Sequence, residues 1–384
     1  MKNIAILGST GSIGRNALEV VRRFPQDFRV VALSANSNID LLYRQVKQFH
    51  PALVCVMDKT ACMRLKSKFS NKVKLLAEEE GLLELCADKR IDTVVVSISG
   101  SGALAPLVAS IQHGKNIALA NKESLVMAGS IIMDLASRKK VKIIPIDSEQ
   151  SAIWQCLEGE EKKNLRSIYL TASGGPLRRV CINALNGISV RRVLRHPRWK
   201  MGRKITVDSA TLMNKGLELL EAMFLFDVPY DKVKVIVHPE AVIHSMVEFV
   251  DGVVMAQLSV TDMRIPIQYA LSYPQRLKNS FTRLDFEKLG ALHFERPDFK
   301  KFPCLALAYR VADELGTAPA AMNAANEVSV EEFLKKNLGF SAIPKVIERV
   351  LRRHRNVSNP DLGDIKEIDA WARREAYRVI ARLN

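Results

Sequence analysis

The sequence predicts an α/β protein that begins with a doubly wound parallel sheet, continues as a mixed α+β region and ends in helices. Strand-like and helix-like segments alternate over residues 1–147, which is typical of a parallel sheet covered by helices on both faces. From residue 148 this alternation gives way to a mixed pattern, and the last part has helical spacing. We therefore predict domains at 1–147, 148–272 and 299–384, with an irregular linker at 273–298.

Short apolar runs predict the strands of the first part. They are Lys2–Leu7, Arg29–Ser34, Leu53–Val56, Thr93–Ile98, Ile117–Ala120 and Lys142–Ile146. Helical spacing of apolar residues predicts helices at Asn16–Phe24 and Leu41–Phe49. Ligands bind such sheets beyond the carboxyl ends of the strands, so chemical groups are expected just after a strand.

The second part combines strands with one long helix. The predicted strands are Ser167–Ala172, Lys232–Val237, Ile243–Phe249 and Val253–Val260. Asp251 and Gly252 form a hairpin-turn signal between the last two strands. Apolar spacing predicts a continuous helix over Val207–Phe226.

Composition excludes several classes of protein. The chain has 384 residues, 48% hydrophobic and 26% charged, which is an ordinary globular composition. Its six cysteines form no CxxC pair, which argues against zinc ribbons and disulfide scaffolds and favours reduced thiols in a cytoplasmic protein. Apolar runs are far shorter than the roughly 20 residues of a membrane span, and we expect no signal or transit peptide.

The chain is strongly basic. It has 57 Lys and Arg residues against 41 Asp and Glu residues, a net charge of +16. This charge suggests nucleic acid, a membrane surface or anionic small molecules as partners. A solvated basic surface explains it equally well, because a global charge locates no site.

A glycine-rich turn follows the first strand. Gly8, Gly11 and Gly14 form a GxxGxxG pattern that opens a helix. Glycines let the backbone turn tightly and approach a pyrophosphate at the helix start. The turn therefore predicts a Rossmann-like dinucleotide site, with a simple glycine turn as the alternative.

The second strand indicates which dinucleotide binds. An acidic residue at its end would bind the ribose 2′-hydroxyl of NAD, but the chain has Asn36, Ser37 and Asn38 there. Small polar residues, with Arg15 in the turn, suit a 2′-phosphate and favour NADP.

Polar clusters follow two later strands. Asp147 and Glu149 flank Ser148 after the sixth strand, and two carboxylates on one face suit a hard cation such as Mg²⁺ or Mn²⁺. A simple helix start is the alternative for this segment. The segment 121–124, Asn-Lys-Glu-Ser, suits either a ligand crevice or a helix cap.

The predicted helix 207–226 has one polar face. Asn214, Lys215, Glu218 and Glu221 oppose the apolar stripe. Such a face is usually solvated, and Ser209 and Thr211 would then be N-caps. The same face also suits a phosphate together with a metal.

The segment 186–204 is basic and aromatic. It carries Arg191, Arg192, Arg195, Arg198, Lys200, Arg203 and Lys204, interleaved with His196, Trp199 and Met201. These residues suit either stacking on single-stranded nucleic acid or a lid over an anionic substrate.

Together these motifs resemble the 1-deoxy-D-xylulose 5-phosphate reductoisomerase family. They are GSTGSIG at 8–14, NKES at 121–124, DSE at 147–149, ASGGP at 172–176, HPxWxMG at 196–202, KITVDSATLMNKGLELLEA at 204–222 and PAAMNAANEVSVEEFL at 319–334. The resemblance covers the whole chain. It implies an N-terminal Rossmann-like domain, a central catalytic and dimerisation domain and a C-terminal helical bundle, assembled as a cytoplasmic homodimer.

The resemblance also implies the reaction and its cofactors. The family converts 1-deoxy-D-xylulose 5-phosphate into 2-C-methyl-D-erythritol 4-phosphate in non-mevalonate isoprenoid synthesis. A metal-assisted skeletal rearrangement gives an aldehyde, which NADPH then reduces. The implied cofactors are NADPH and one divalent cation, Mg²⁺ or Mn²⁺.

The resemblance assigns the following residues. The implied NADPH residues are Thr10, Gly11, Ser12, Ile13, Asn38, Asn121, Glu123 and Gly202. The implied metal ligands are Asp147, Glu149 and Glu218. The implied phosphate ligands are Ser173, Ser209, Asn214 and Lys215, while Lys122, Ser148 and His196 contact the other substrate oxygens and Trp199 and Met201 lie on the lid. Lys122, Asp147, Glu149, His196 and Glu218 are the implied catalytic residues.

One departure concerns the cofactor. Many family members have Gly-Lys-Asn where this chain has Asn36-Ser37-Asn38. The missing lysine removes a cation from the implied 2′-phosphate site, and Arg15 is the candidate replacement.

Two rival functions remain at this point. One is another NADP-dependent oxidoreductase that acts on a phosphorylated sugar or oxoacid. The other is a basic nucleic-acid-binding protein, which salt-dependent binding to oligonucleotides would reveal.

Overall fold

The fold is taken from a computed structural model that describes residues 1–66, 73–199 and 201–383. These residues divide into two compact units. The first unit comprises 1–124, 132–151 and 262–281, and the second comprises 125–131, 152–261 and 282–384. The predicted domain boundaries at 147, 272 and 298 stay a prediction.

Strands and helices are numbered in chain order. The strands are β1 (Lys2–Leu7), β2 (Phe28–Ala35), β3 (Leu53–Val56), β4 (Lys74–Ala77), β5 (Thr93–Val96), β6 (Asn116–Leu119), β7 (Ile143–Pro145), β8 (Leu165–Ala172), β9 (Val233–Val237), β10 (Ile243–Phe249) and β11 (Val254–Leu258). The helices are α1 (Ser12–Arg23), α2 (Ile39–Phe49), α3 (Lys59–Lys66), α4 (Glu78–Ala87), α5 (Leu104–Gln112), α6 (Lys122–Lys139), α7 (Ser148–Cys156), α8 (Val190–Val193), α9 (Arg203–Thr211), α10 (Met213–Phe226), α11 (Arg264–Ser272), α12 (Phe286–Leu289), α13 (Pro303–Glu314), α14 (Ala318–Leu334), α15 (Ile343–Arg353) and α16 (Leu362–Ala381).

The first unit is built on a parallel sheet, as the alternation of strands and helices predicts. Seven strands among the described residues pair in the order β4-β3-β2-β1-β5-β6-β7, and all the pairs are parallel. The strand order reverses between β1 and β5. This reversal opens a crevice beyond the carboxyl ends of these two strands, where open α/β sheets bind ligands.

The second unit combines a mixed sheet with helices. In the described residues the sheet order is β11-β10-β8-β9, with β8 and β9 parallel and the other pairs antiparallel. Apolar residues of β8, α10 and helices α13–α16 form its continuous core. The predicted helical character of residues 299–384 is confirmed, and no helix in the described part of the chain is both long enough and apolar enough to cross a membrane.

The prediction of one helix over 207–226 is wrong. The chain forms α9 and α10 instead, and Leu212 separates them with a left-handed φ of +59°. The side chain of Leu212 is buried. Tertiary packing therefore stabilises a backbone conformation that non-glycine residues rarely adopt. Ser209 and Thr211 lie within α9, and the Thr211 hydroxyl accepts from the Met213 N–H at the start of α10 at 3.3 Å.

Candidate functional site

The glycine-rich turn is packed too tightly for side chains at two positions. A Cβ at Gly14 would lie 2.4 Å from the carbonyl oxygen of Gly8, and Gly8 itself has a φ of +83°. Gly11 precedes α1 and offers no side-chain cap, and the first turn of α1 carries no acidic residue. The start of α1 therefore leaves backbone N–H groups for an anion, as a pyrophosphate requires. Thr10, Gly11, Ser12 and Ile13 form this turn.

Polar contacts hold the turn in place. The Ser9 hydroxyl donates to Gln45 Oε1 at 2.7 Å, and Gln45 Nε2 donates to the Ser9 carbonyl at 2.9 Å. Ser9 and Gln45 are both buried. These bonds fix the turn against α2.

The end of β2 is open to solvent. Asn36, Ser37, Asn38 and Arg15 are exposed. Asn38 caps α2, because its side chain accepts from the Leu41 N–H at 3.3 Å. The structure therefore places Asn38 at a helix start, with its amide nitrogen directed away from that cap.

The loop after β5 also borders the dinucleotide crevice, and sequence reasoning missed it. A Cβ at Gly8 would lie 2.9 Å from the Ser97 carbonyl oxygen. Asn121 Nδ2 donates to the carbonyls of Ile98 and Gly100, both at 3.0 Å, and to Glu123 Oε2 at 2.8 Å. Asn121 and Glu123 thus shape this loop. The side-chain oxygen of Asn121 also caps α6 by accepting from the Ser124 N–H.

Lysine and carboxylate groups meet after β6 and β7. The Nζ atom of Lys122 lies 2.5 Å from Asp147 Oδ2, and Lys122 is buried. Ser148 begins α7, and its hydroxyl donates to Glu149 Oε2 at 2.6 Å. Residues 147–149 therefore form a helix start and also present two carboxylates, so the two interpretations of this segment are compatible.

His196 joins two serines in the second unit. Its Nε2 lies 3.1 Å from both Ser173 Oγ and Ser209 Oγ. Its Nδ1 accepts from the backbone N–H of Trp199 at 2.9 Å. Because Nδ1 is an acceptor, the proton of the neutral ring lies on Nε2 and is available to the two hydroxyls.

The loop at 173–176 approaches α9 closely. Gly174 and Gly175 have φ values of +79° and +66°, and a Cβ at Gly175 would lie 2.6 Å from the Ser209 carbonyl oxygen. The Gly175 N–H donates to Ser173 Oγ at 3.3 Å. The two glycines thereby allow Ser173 and Ser209 to contact the same imidazole ring, that of His196.

The polar face of α10 is buried, contrary to the ordinary expectation of a solvated face. Glu218 is 0% exposed and Lys215 is 4% exposed. Glu218 accepts from Asn214 through one carboxylate oxygen and from Lys215 through the other. Burial of charged groups is costly unless they are paired. This buried cluster therefore favours a functional role for the polar face over that of a solvated surface.

The basic segment 186–204 contacts His244 and Pro239. Trp199 lies beside His244, with ring centroids 6.1 Å apart, and Arg198 Nε donates to the Pro239 carbonyl at 2.9 Å. Trp199 and Met201 are partly buried, while Gly202 and the arginines at 191, 192, 195, 198 and 203 are exposed. Lys200 lies outside the described residues. Trp199 and Met201 are thus less exposed than the arginines around them, and the lid stays a prediction.

Comparison with known proteins identifies the family. Models described as 1-deoxy-D-xylulose 5-phosphate reductoisomerase match residues 4–129, and models of the C-terminal domains of that enzyme match residues 143–226 and 258–375. The reductoisomerase of Caldanaerobacter subterraneus subsp. tengcongensis is 49% identical over 383 residues, which is 100% of both chains. That of Ruminiclostridium cellulolyticum is 50% identical over 99% of both chains.

Solved structures agree with the sequence comparison. A crystal structure of DOX-P reductoisomerase in complex with NADPH, fosmidomycin and magnesium is 38% identical, with a TM-score of 0.95 over 100% of this chain and 99% of the other. The enzyme of Zymomonas mobilis in complex with NADPH is also 38% identical, with a TM-score of 0.92 over 99% of both chains. The chain therefore belongs to the 1-deoxy-D-xylulose 5-phosphate reductoisomerase family.

Proposed function

We infer that the chain is an NADPH-dependent reductoisomerase that converts 1-deoxy-D-xylulose 5-phosphate into 2-C-methyl-D-erythritol 4-phosphate. The observation that carries this function is the full-length similarity to reductoisomerases at 45–50% identity. Each residue that the family pattern requires for metal and substrate is also present. The enzyme is thus an oxidoreductase of isoprenoid precursor synthesis.

Asp147, Glu149 and Glu218 are the proposed ligands of one divalent cation. Their donor set is chemically suitable, since three carboxylates are hard oxygen ligands of the kind that Mg²⁺ and Mn²⁺ prefer. Within the described residues these three side chains form a group that could hold a metal ion. A cation bound there supplies Lewis-acid polarisation of the substrate oxygens, and Lys122 and Lys215 neutralise part of the carboxylate charge.

Ser173, Ser209, Asn214 and Lys215 are the proposed phosphate ligands, with His196 between the two serines. The His196 Nε2 proton and the two hydroxyls provide neutral donors, and Lys215 and Asn214 add a charged and a neutral donor. The short loop 173–176 holds Ser173 and α9 holds Ser209, so we expect little ordering of these side chains on binding. A phosphate held here orients the rest of the substrate, which lets remote binding energy support the reaction.

Lys122 and Ser148 are the proposed partners of the reacting oxygens. Lys122 is oriented by Asp147, and its buried ammonium group can donate to a substrate hydroxyl or carbonyl. Ser148 is oriented by Glu149 in the same way. Trp199 and Met201 are proposed to cover the substrate, which keeps the aldehyde intermediate away from water.

The glycine-rich turn is proposed to hold the NADPH pyrophosphate through Thr10, Gly11, Ser12 and Ile13. Asn121, Glu123 and Gly202 are proposed to complete the cofactor site. Asn38 is proposed to lie near the adenosine 2′-phosphate, where exposed Arg15 supplies the cation that Ser37 does not. NADPH supplies the hydride, and the protein supplies its position.

One assay tests the function. Purified protein is mixed with NADPH and 1-deoxy-D-xylulose 5-phosphate, with Mg²⁺, Mn²⁺ or EDTA, and the loss of NADPH absorbance is followed. Metal-dependent oxidation that EDTA abolishes is expected, with 2-C-methyl-D-erythritol 4-phosphate as product. A folded, metal-loaded protein that oxidises no NADPH would contradict the assignment. A parallel reaction with NADH measures whether Ser37 has relaxed cofactor choice.

We also propose that the enzyme is a cytoplasmic homodimer. The strand β11 is an edge of its sheet. Val254 and Met255 are exposed on it, as is Val253 just before it. An exposed apolar edge favours pairing with another chain, and a second copy is the proposed partner. A reducing compartment agrees with the six free cysteines, all of which lie in the described residues.

A further inference from the structure

A buried carboxylate beside the proposed phosphate site has no role in the function described so far. Asp208 of α9 is 1% exposed, and Asn326 of α14 is 0% exposed. Asp208 Oδ1 accepts from Asn326 Nδ2 at 2.9 Å. Asp208 Oδ2 lies 2.8 Å from Lys204 Nζ, one helical turn earlier on α9. The bond between Asp208 and Asn326 thus joins α9 to α14.

Such a carboxylate is an expensive way to stabilise a core. Taking a carboxylate out of water costs several kcal/mol, and a hydrophobic pair of similar volume is often at least as stable. The neighbours of the pair in sequence are apolar, since Val207 and Ala210 on α9 and Ala325 on α14 belong to the buried core of this unit. We therefore explain the buried Asp208 by a need to position α9 rather than by a contribution to stability.

The helix that carries Asp208 needs such an anchor. α9 has nine residues, and Gly202 at its N-cap provides no side-chain hydrogen bond. Helices of this length are marginal on their own. Its other end stops at the left-handed Leu212. A directional hydrogen bond from α14 therefore sets both the depth and the rotation of α9, which apolar contacts alone define less well.

The position of α9 matters because of the residues beside Asp208. Ser209 follows directly, and its hydroxyl lies 3.1 Å from His196 Nε2. The tight approach of Gly175 to the Ser209 carbonyl leaves little room for α9 to shift. At its other end, α9 begins directly after Trp199, Met201 and Gly202. A small rotation of α9 would therefore move a proposed phosphate ligand and the exit of the lid together.

We propose that Asp208 and Asn326 are positioning residues that hold Ser209, and with it the phosphate site, in the binding geometry. This inference rests on the proposed function, because it takes Ser209 as a phosphate ligand. Neither side chain contacts the substrate, and both act through α9.

The test compares Asp208→Asn, Asn326→Ala and the double variant with the wild type. Asp208→Asn keeps the shape, but its one remaining oxygen is needed by the Lys204 ammonium, so its amide nitrogen faces Asn326 Nδ2 and the bond from α14 is lost. Asn326→Ala removes the same bond from the other side. We expect each single change to raise KM for 1-deoxy-D-xylulose 5-phosphate about tenfold, with kcat and the Kd for NADPH changed less than about twofold. The double variant should raise KM no more than the larger single effect, since both changes break one interaction.

Asn323→Ala is the matched control, because Asn323 is equally buried on α14 but donates to Glu327 at 3.1 Å instead. It should leave KM unchanged. A merely structural role predicts lower melting temperatures with unchanged KM for both single variants, and that result would overturn the proposal, as would additive effects in the double variant. If Asp208→Asn does not fold, the KM of Asn326→Ala decides alone. A wild type without substrate-dependent NADPH oxidation would instead refute the proposed function.

Discussion

At the scale of single residues, Glu218 is the sharpest test of the proposed metal site. Glu218→Gln keeps the size of the side chain and removes one of three carboxylates, so the fold should persist because Asn214 and Lys215 can still pack against it. We expect kcat/KM to fall about 100-fold or more at saturating Mg²⁺. The measurement is NADPH oxidation over a Mg²⁺ titration.

A matched control separates loss of a ligand from loss of a buried charge. Glu332 of α14 is also buried, and it accepts from Lys335 at 3.0 Å and from Asn337 at 2.8 Å. Glu332→Gln should leave kcat/KM close to that of the wild type. Near-normal turnover of Glu218→Gln would remove Glu218 from the metal site.

Glu240 makes a pH-dependent contribution to stability. Burial favours its neutral form, but hydrogen bonds from the His293 ring at 2.9 Å and its N–H at 3.1 Å outweigh this and lower the pKa of Glu240 to about 2. A pKa below the ordinary carboxyl value means that the ionised form is favoured in the folded state. Its stabilisation is therefore complete above the unfolded pKa, about 4.3, and is lost as the pH falls toward about 2.

The variant Glu240→Gln tests this linkage. Its unfolding free energy should fall short of the wild-type value by more near about pH 6 than near about pH 3. The reason is that the carboxyl group of Glu240 titrates in this range, whereas the amide that replaces it does not. Denaturant unfolding at both pH values provides the measurement. Glu160→Gln, at an exposed position, should show no pH-dependent deficit. A constant deficit for Glu240→Gln would show that the pairing with His293 is not electrostatic.

At the scale of elements, we predict that the contact between the glycine-rich turn and the start of α1 controls the affinity for NADPH. A Cβ at Gly14 would lie 2.4 Å from the Gly8 carbonyl oxygen and 2.5 Å from the Ser9 Cα, both backbone atoms. Gly14→Ala must therefore displace the start of α1 and the N–H groups proposed to bind pyrophosphate. We expect the Kd for NADPH to rise by at least about tenfold, as measured by fluorescence titration.

Gly339→Ala is the control for this change. A Cβ at Gly339 would have nothing within 4 Å, and its φ is not in the left-handed region. Its NADPH affinity should match the wild type. Unchanged affinity of Gly14→Ala would mean that the turn adapts without cost and does not position the cofactor.

Local patterns predicted some elements well and others poorly, for physical reasons. The bounds of β1, β3 and β10 agree with prediction, because apolar runs with turn signals at both ends leave few alternatives. The break at Leu212 has no local signal, since leucine favours helices and only tertiary packing imposes its left-handed backbone. β4 was missed as well, because a four-residue strand that begins with an exposed lysine carries little apolar pattern.

At the scale of the whole molecule, the candidate site was predictable where chemistry is local in sequence. Spacing alone marked Asn214, Lys215 and Glu218 as a set, but it could not show that their face is buried. The partners Asp208 and Asn326 are 118 positions apart, so no local pattern links them. Full-length resemblance supplied the assignments that spacing left open.

The proposed homodimer is the last property that belongs to this scale. β11 pairs with β10 and exposes Val254 at 50% and Met255 at 39%. A lysine on this edge would place a charge where a second copy is proposed to pack, and edge lysines are a common obstacle to strand pairing. We expect Val254→Lys to shift the wild-type dimer toward monomer in light scattering with size-exclusion chromatography.

Val357→Lys is the control, because Val357 is also exposed, at 39%, but lies outside the sheet. It should remain dimeric. A dimeric Val254→Lys would place the interface elsewhere, while a monomeric wild type would refute the homodimer itself. If monomeric Val254→Lys keeps its kcat/KM, each subunit holds a complete site, because every residue proposed for metal and substrate then works within a single chain.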